Sequence, residues 1–346
     1  MLAAICRLNS SYMQRVSAMP YSTGVKPKTA IVMLNMGGPQ TTAQVGDYLH
    51  RIMTDRDMIQ LPVQSKLGPW IASRRTEEVK KKYQEIGGGS PILQWTHSQV
   101  SLQYKPHSNY IKDGKPTNKY AQYKVPRNIQ FSMIERWATH PLLAKVFAER
   151  ILEKLELFDS KIRNDVLILF TAHSLPLKAV SRGDTYPHEV AATVAATMEA
   201  LNLPNPHRLV WQSKVGPLPW LQPYTDDAIK SYAKQGRRHM ILVPIAFVNE
   251  HIETLHELDI EYCEDVAKEV GIIQIERASA PNDHPTFIGA LAEIVSNHLT
   301  NGPKISNQFL TRCPHCVSKR CQSSKDFFRK LCGNVDFNLQ SVVSSG

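Results

Sequence analysis

The run Met240-Ile-Leu-Val-Pro-Ile-Ala-Phe247, followed by Glu250-His-Ile-Glu-Thr-Leu-His-Glu-Leu-Asp-Ile-Glu-Tyr-Cys-Glu264, sets the fold. Its first part is a short, almost wholly apolar run of the kind a strand buried on both faces requires. The second part reads as a helix, with Glu250, Glu253, Glu257, Glu261 and Glu264 recurring at steps of three or four residues. Like charges stacked on one stripe repel, so a surface helix gains no stability from them. Interleaved with His251 and His256, the stripe is what moving protons or cations would need. A solvated acidic helix face is the competing reading.

The same alternation surrounds this segment. Strand-like runs at 166–171, 208–213 and 240–248, and a weaker one at 272–276, alternate with helical runs at 142–157, 187–202, 226–235, 250–269 and 285–299. This predicts an α/β fold with a parallel sheet covered on both faces. Ligands of such folds bind beyond the carboxyl ends of the strands. His173, at the end of Val166-Leu-Ile-Leu-Phe-Thr-Ala-His173, and Glu250–Glu257 both fall there. Trp211-Gln-Ser-Lys-Val-Gly-Pro-Leu-Pro-Trp220 adds two flat apolar rings beside polar anchors.

Towards the amino terminus, Thr29-Ala-Ile-Val-Met-Leu-Asn35 reads as a buried strand ending in Gly37-Gly38-Pro39, with a helix pattern at 43–53 after it. Residues 56–75 read as a loop rich in apolar side chains (Met58, Ile59, Leu61, Val63, Leu67, Trp70, Ile71), flanked by Lys66, Arg74 and Arg75. A charged helix at 76–86 and the permissive loop Gly87-Gly-Gly-Ser-Pro91 complete this part. Residues 100–130, rich in Lys, Asn and Tyr, show no sustained period and fit poorly in a compact domain.

With 346 residues, 42% of them hydrophobic and 21% charged, the chain is long enough for two domains. Its net charge of +10 is scattered, without a basic tract, finger, homeodomain or RNP pattern, which argues against nucleic acid. An anionic membrane surface or an acidic small molecule accounts for it equally well. The first acidic residue is Asp47; the leader over 1–26, with Arg7, Arg15, Lys26 and several serines, reads as a mitochondrial transit peptide outside the fold. Nowhere is an apolar run long enough to span a bilayer.

The six cysteines are Cys6, Cys263 and a late group, Cys313, Cys316, Cys321 and Cys332. A late cluster points to metal rather than to a disulfide framework. By spacing alone, Cys313-x₂-Cys316-x₄-Cys321 suits zinc, with His315 or Cys332 as the fourth ligand.

Six motifs stand in order along the chain: Leu34-Asn-Met36-Gly-Gly-Pro39, Arg74-Arg75-Thr, Ile86-Gly-Gly-Gly-Ser90-Pro-Ile, Thr171-Ala-His173-Ser-Leu-Pro, Trp211-Gln-Ser-Lys-Val-Gly-Pro, and Phe247 with His251-Ile-Glu253-Thr-Leu and Glu257-Leu-Asp259. Over 27–99 and 131–332 the chain resembles the ferrochelatase family in its animal mitochondrial form. The resemblance implies two Rossmann-like, chelatase-type halves with parallel sheets flanked by helices, at 27–137 and 138–303, and a Cys-rich iron–sulfur tail at 304–346. It implies insertion of Fe²⁺ into protoporphyrin IX with release of two protons, the last step of haem synthesis. His173, Glu253, His140 and Glu293 would be catalytic or supporting, Glu293 standing where the family has Asp. Met36, Arg75, Tyr83, Ser90, Trp220 and Phe247 would contact the porphyrin; Tyr83 is equally readable as a helix-packing aromatic. Glu250, His251 and Glu257 would form a path for protons or metal.

The resemblance further implies a 2Fe–2S cluster on Cys313, Cys316 and Cys321, a homodimer, and peripheral attachment to the matrix side of the mitochondrial inner membrane through the apolar 58–71 stretch. The family takes its fourth cluster ligand from mid-chain. This chain has no cysteine between Cys6 and Cys263, which leaves Cys332 as the candidate. Between Gln99 and Phe131 the family carries several dozen more residues. The competing reading is therefore a non-catalytic variant that binds porphyrin or metal, or modulates an intact subunit.

Overall fold

A computed structural model describes residues 2–8, 29–55, 63–103, 129–134 and 136–300. The leader beyond Leu8, Met58–Leu61, most of 100–130 and the tail cysteines lie outside the described residues. The described chain divides into two compact units, one holding residues 35–103 and 138–293, the other 2–8, 29–34, 129–137 and 294–300.

The larger unit is built on a parallel sheet of four strands, β4 (Leu167–His173), β5 (His207–Gln212), β6 (His239–Val243) and β7 (Gln274–Arg277), in the order β5-β4-β6-β7. Strand β4 lies in its interior, and Ile168, Leu169 and Phe170 are fully buried. Each such side chain contributes about 1.5–3 kcal/mol relative to exposure, which is why the run is apolar throughout instead of alternating. Leu167 and Leu169 pack with Met240, Leu242, Val210, Ile229 and Leu258 in one core cluster.

Crossover helices follow each strand: α5 (Leu177–Ser181) and α6 (Tyr186–Leu201) after β4, and α7 (Thr225–Lys234) after β5. After β6 come the short α8 (Ile252–Leu255), a π-helix (Glu257–Val266) and α9 (Ala267–Glu269). The expected continuous helix over 250–269 is therefore interrupted. Glu261 N–H reaches back five residues to His256 O at 3.0 Å, the bond that defines the wider π turn. Helix α4 (Pro141–Leu155) precedes β4, and α10 (Pro285–Thr300) follows β7.

The chain leaves β4 towards β5 on one side, then returns to place β6 on the other. This reversal opens a crevice between the carboxyl ends of β4 and β6, the point where doubly wound sheets bind ligands.

The same unit contains α1 (Val45–Thr54), α2 (Gln64–Glu85) and α3 (Ile92–Gln103). The expected loop at 56–75 is corrected here, because α2 already begins at Gln64 and passes through Pro69. Packing overrides the local Gly-Pro signal. Gly68 lets α2 approach α1 so closely that a Cβ there would sit 2.5 Å from Met53 O, and the Gln64 amide donates to that carbonyl at 2.6 Å. Val45, Leu49, Met53, Ala72, Val79 and Tyr83 form the shared core, with Ile252 of α8 packed against it.

The smaller unit is a three-stranded antiparallel sheet in the order β2-β1-β3, made of β1 (Leu2–Leu8), β2 (Thr29–Leu34) and β3 (Ile129–Ile134). Ile5 pairs with Ile31 on one side and with Ser132 on the other. Ile134 and Val295 anchor its core, with Ile31, Trp137, Ile294 and Leu299 packed around them. Among the described residues the parallel sheet is the one in the larger unit, and the smaller unit draws its strands from 2–8, 29–34 and 129–134. Residues 2–8 form the middle strand. With only two strands contributed by 27–137, their edges carry free N–H and C=O groups, and an added strand satisfies them.

Candidate active site

The carboxyl ends of β4, β5 and β6 bring three loops together. His173 closes β4, and its Nδ1 donates to Ser174 O at 2.6 Å, which leaves Nε2 as the basic nitrogen of the neutral ring. Ser174 N–H donates to Gln212 O at 2.8 Å, and its hydroxyl to Leu221 O at 3.0 Å. Leu221 N–H donates to Leu175 O and Leu177 N–H to Pro219 O, so the segments after β4 and β5 are zipped together. This seats Trp220 against His173, with ring centroids 6.3 Å apart. The Tyr186 hydroxyl donates to His173 O at 3.0 Å.

After β6, Phe247 stands edge-on to His251 with centroids 4.6 Å apart. His251 caps α8 in a capping box, its N–H donating to Thr254 Oγ1 at 3.0 Å. Burial drives its pKa down, Glu253 and Glu250 oppose this, and nearby His173 lowers it further. The ring is neutral at physiological pH. His251 Nδ1 and Trp220 Nε1 are buried with no hydrogen-bond partner among the described residues, whereas buried polar atoms normally have one.

The acidic stripe is not uniform. Glu250 is 5% exposed and fully engaged: Oε1 accepts from Arg277 Nη1 and Ala280 N–H, both at 2.8 Å, and Oε2 from Thr254 Oγ1. Burial alone would raise its pKa, but Arg277 and the hydrogen bonds prevail and lower it. Glu257 accepts from Ser213 N–H at 2.8 Å, Ser213 Oγ at 2.5 Å, Tyr262 OH at 2.9 Å and Gln212 Nε2 at 3.2 Å. Burial raises its pKa, because none of these donors is charged. Glu261 pairs with Lys82 at 2.7 Å and with His256 at 3.1 Å, while the other His256 nitrogen meets Glu85 at 2.6 Å. Glu253 differs from these. Among the described residues its carboxylate faces only His251 Nε2, 4.0 Å away. Its charge acts on Tyr48, Tyr83, Tyr186, His251 and Glu257, raising the tyrosine pKa values.

The other expected residues are distributed around this centre. Tyr83 is 3% exposed in the α1–α2 core, and its hydroxyl end points to the loop at 38. A Cβ on Gly38 would lie 2.5 Å from Ser90, so the loops carrying Met36 and Ser90 pack in contact, and Ser90 N–H donates to Pro39 O at 2.7 Å. Met36 is 61% exposed. Arg75 is half-buried on α2, one position beyond Arg74, whose guanidinium lies 5.0 Å from the centre of the exposed Trp70 ring. His140 and Glu293 form their own pair, 3.9 Å apart, with His140 capping α4; burial lowers the His140 pKa. Cys263 is half-buried, and desolvation pushes its thiol pKa up to about 12, an environment unlike that of a metal-binding thiolate. No group of three His, Cys, Asp or Glu suited to a metal stands among the described residues.

Sequence reasoning passed over Ser213, Gln212, Tyr262 and Arg277 as partners of the acidic stripe. Arg277 ends β7 at the carboxyl edge, and an arginine there, facing a carboxylate-rich segment, is the one signal that pointed to it.

A doubly wound sheet with histidines, a carboxylate beside one of them and apolar rings at its switch point belongs to the ligand-binding α/β enzymes. A model of the ferrochelatase family matches residues 28–105 and 102–299. The chain is 53% identical over 379 aligned positions to the mitochondrial ferrochelatase of Drosophila melanogaster, covering 95% of this chain and 98% of that one. It is 45% identical to the Bos taurus enzyme (88% and 85% covered) and 44% identical to the Homo sapiens enzyme (88% and 84% covered). The chain belongs to the ferrochelatase family, the enzymes of the final step of haem synthesis.

The two matched stretches join at 102–105, at the end of α3. An alignment of 379 positions to a chain of 346 residues means that the fly protein holds residues without counterpart here. Residues 106–130 fall inside the second matched stretch, so the break in family sequence is narrower than 100–130.

Proposed function

We propose that this chain inserts Fe²⁺ into protoporphyrin IX to give protohaem and two protons. The observation that carries the reading is the contrast at the switch point: among the described residues Glu253 makes no hydrogen bond, and it lies beside neutral His251, which in turn lies near His173. Insertion must remove both pyrrole N–H protons as iron, the substrate, enters. His173 Nε2 accepts one, because its Nδ1–H is already committed to Ser174 O. Glu253 takes the second, with His251 relaying it outward. Trp220 and Phe247 supply flat apolar contact to the macrocycle, Met36 a further contact, and Arg75 and Ser90 suit its propionates. Tyr83 supports the loop carrying Ser90. Glu250 and Glu257 extend the polar lining, and the His140–Glu293 pair supports the site from the α4 end.

The same reading takes 63–75 as the membrane-facing lip, since Val63 (63% exposed) and Trp70 (56%) lie beside Lys66, Arg74 and Arg75. No helix among the described residues is long and apolar enough to cross a membrane, which fits peripheral attachment at the matrix side of the inner mitochondrial membrane. A homodimer completes the family pattern. Cys313, Cys316 and Cys321 would supply three ligands of a 2Fe–2S cluster that takes no part in the proton steps; iron and sulfide content of the purified chain tests whether a fourth is found.

Anaerobic incubation of the purified chain with Fe²⁺ and protoporphyrin, followed by visible absorbance, tests the activity. Conversion to the metalloporphyrin spectrum is expected. Intact porphyrin binding without conversion would favour the non-catalytic variant, for which the join at 102–105 is the motivating observation.

A further inference from the structure

Arg277 ends β7 at the same edge of the sheet as the site, yet no step above uses it. Its side chain is 11% exposed and engages carboxylates from two elements. Nε and Nη2 take the two oxygens of Asp259, Nη2 at 2.9 Å, and Nη1 donates to Glu250 Oε1 at 2.8 Å. Glu250 passes the restraint on through Thr254, which accepts the His251 N–H. Asp259 lies in the π-helix, two residues beyond Glu257. The stretch bearing His251, Glu253 and Glu257 is thus pinned at both ends by one side chain.

We propose that Arg277 is a positioning residue for iron insertion, holding Glu250 and Asp259 at a fixed separation and so setting the placement of His251 and Glu253. The inference rests on the function proposed above. A guanidinium is suited to the task because its planar fork offers donors along two edges. One edge is filled by Asp259 and the remaining nitrogen by Glu250. Lysine keeps the charge but presents a single point, and cannot hold both carboxylates at a set distance. Glu253, whose carboxylate makes no hydrogen bond among the described residues, depends on this frame for its position.

The test compares the parent chain with Arg277→Lys and with Asp259→Asn, which leaves the guanidinium on Glu250. Fluorescence quenching reads protoporphyrin binding, absorbance reads metallation, and hydrogen–deuterium exchange reads the segment directly. Both variants should bind porphyrin with KM within about twofold of the parent while kcat falls about tenfold or more, since small misplacements of catalytic groups cost rate rather than binding. Amides of 251–260 should exchange about tenfold faster, with those of β4 unchanged, as local rather than global opening requires. Parental kcat in Arg277→Lys would overturn the proposal. So would unchanged exchange over 251–260, or a loss of rate that tracks only the folded fraction seen by circular dichroism. If the parent itself binds porphyrin without metallating it, the functional reading falls, while the exchange arm still decides whether Arg277 positions the segment.

Discussion

Glu250 and Glu257 stand seven residues apart on one acidic stripe, and the structure treats them in opposite ways. Glu250 meets a guanidinium, and its pKa falls. Glu257 meets only neutral donors, four of them, and its pKa rises. Both are largely withdrawn from water, so burial costs each of them in the same direction. The sign is decided by whether a positive charge returns what desolvation removes. Glu253, between them, has neither arrangement. The contrast separates carboxylates held by hydrogen bonds from one that makes none among the described residues.

The largest expected effect breaks the contrast at its centre. Glu253→Gln should lower kcat by about 10²–10⁴-fold, the usual contribution of a positioned acid or base, while the melting temperature stays at the parental value. A large loss of stability would mean that Glu253 is a structural carboxylate like its neighbours. Thermal melts of Glu250→Gln should show a loss of about 1.5–3 kcal/mol, the range for hydrogen bonds to charged groups, with Asp259 still pairing Arg277. Because the folded pKa of Glu250 is depressed, its contribution is complete above the unfolded value of about 4.3 and is lost as pH falls through the folded value. Stability of the parent should therefore fall more steeply on acidification than that of Glu250→Gln.

Glu257→Gln sharpens the comparison from the other end. With its folded pKa raised, Glu257 stabilises most below about pH 4.3 and loses that contribution as pH rises through the folded value. The glutamine variant should stay within about 1 kcal/mol of the parent at pH 7, a smaller loss than for Glu250→Gln, because no charged donor faces Glu257. A loss as large as that for Glu250→Gln would show that the charge on Glu257 is itself stabilising. Glu77→Ala on α2 should change stability least, by about 0.5 kcal/mol or less. Its pair with Lys80, at 2.7 Å, has the Glu77 side chain 78% exposed, and water screens it.

Much of this was legible beforehand. The apolar run at 166–171 announced a strand buried on both faces, and its partner runs placed the other three, because only a covered parallel sheet needs several such runs in one chain. His173 and Glu253 could be assigned to the strand ends by counting. The start of α2 could not, since Gly68-Pro69 reads locally as a loop, and only contact with Met53 shows why glycine is needed there. Nor could the π turn after His256, which preserves helical spacing by eye while changing which side chains share a face. The pairing of the amino-terminal strand was not legible for a related reason. Strand pairing joins residues far apart in sequence, and nothing within Leu2–Leu8 names β2 and β3 as partners.

By itself the sequence determined the α/β class, the strand ends where chemistry gathers, and the motifs that carry the family. Those features depend on local periodicity and on residues close along the chain. The tertiary structure alone decided which carboxylate is free. Glu250, Glu253 and Glu257 have the same side chain and similar spacing, and they differ only in what reaches them: Arg277 from β7 for one, Ser213 from the end of β5 for another, and for Glu253 no hydrogen-bond donor among the described residues. Ionisation behaviour is set by neighbours in space, and those neighbours come from strands that the sequence keeps apart.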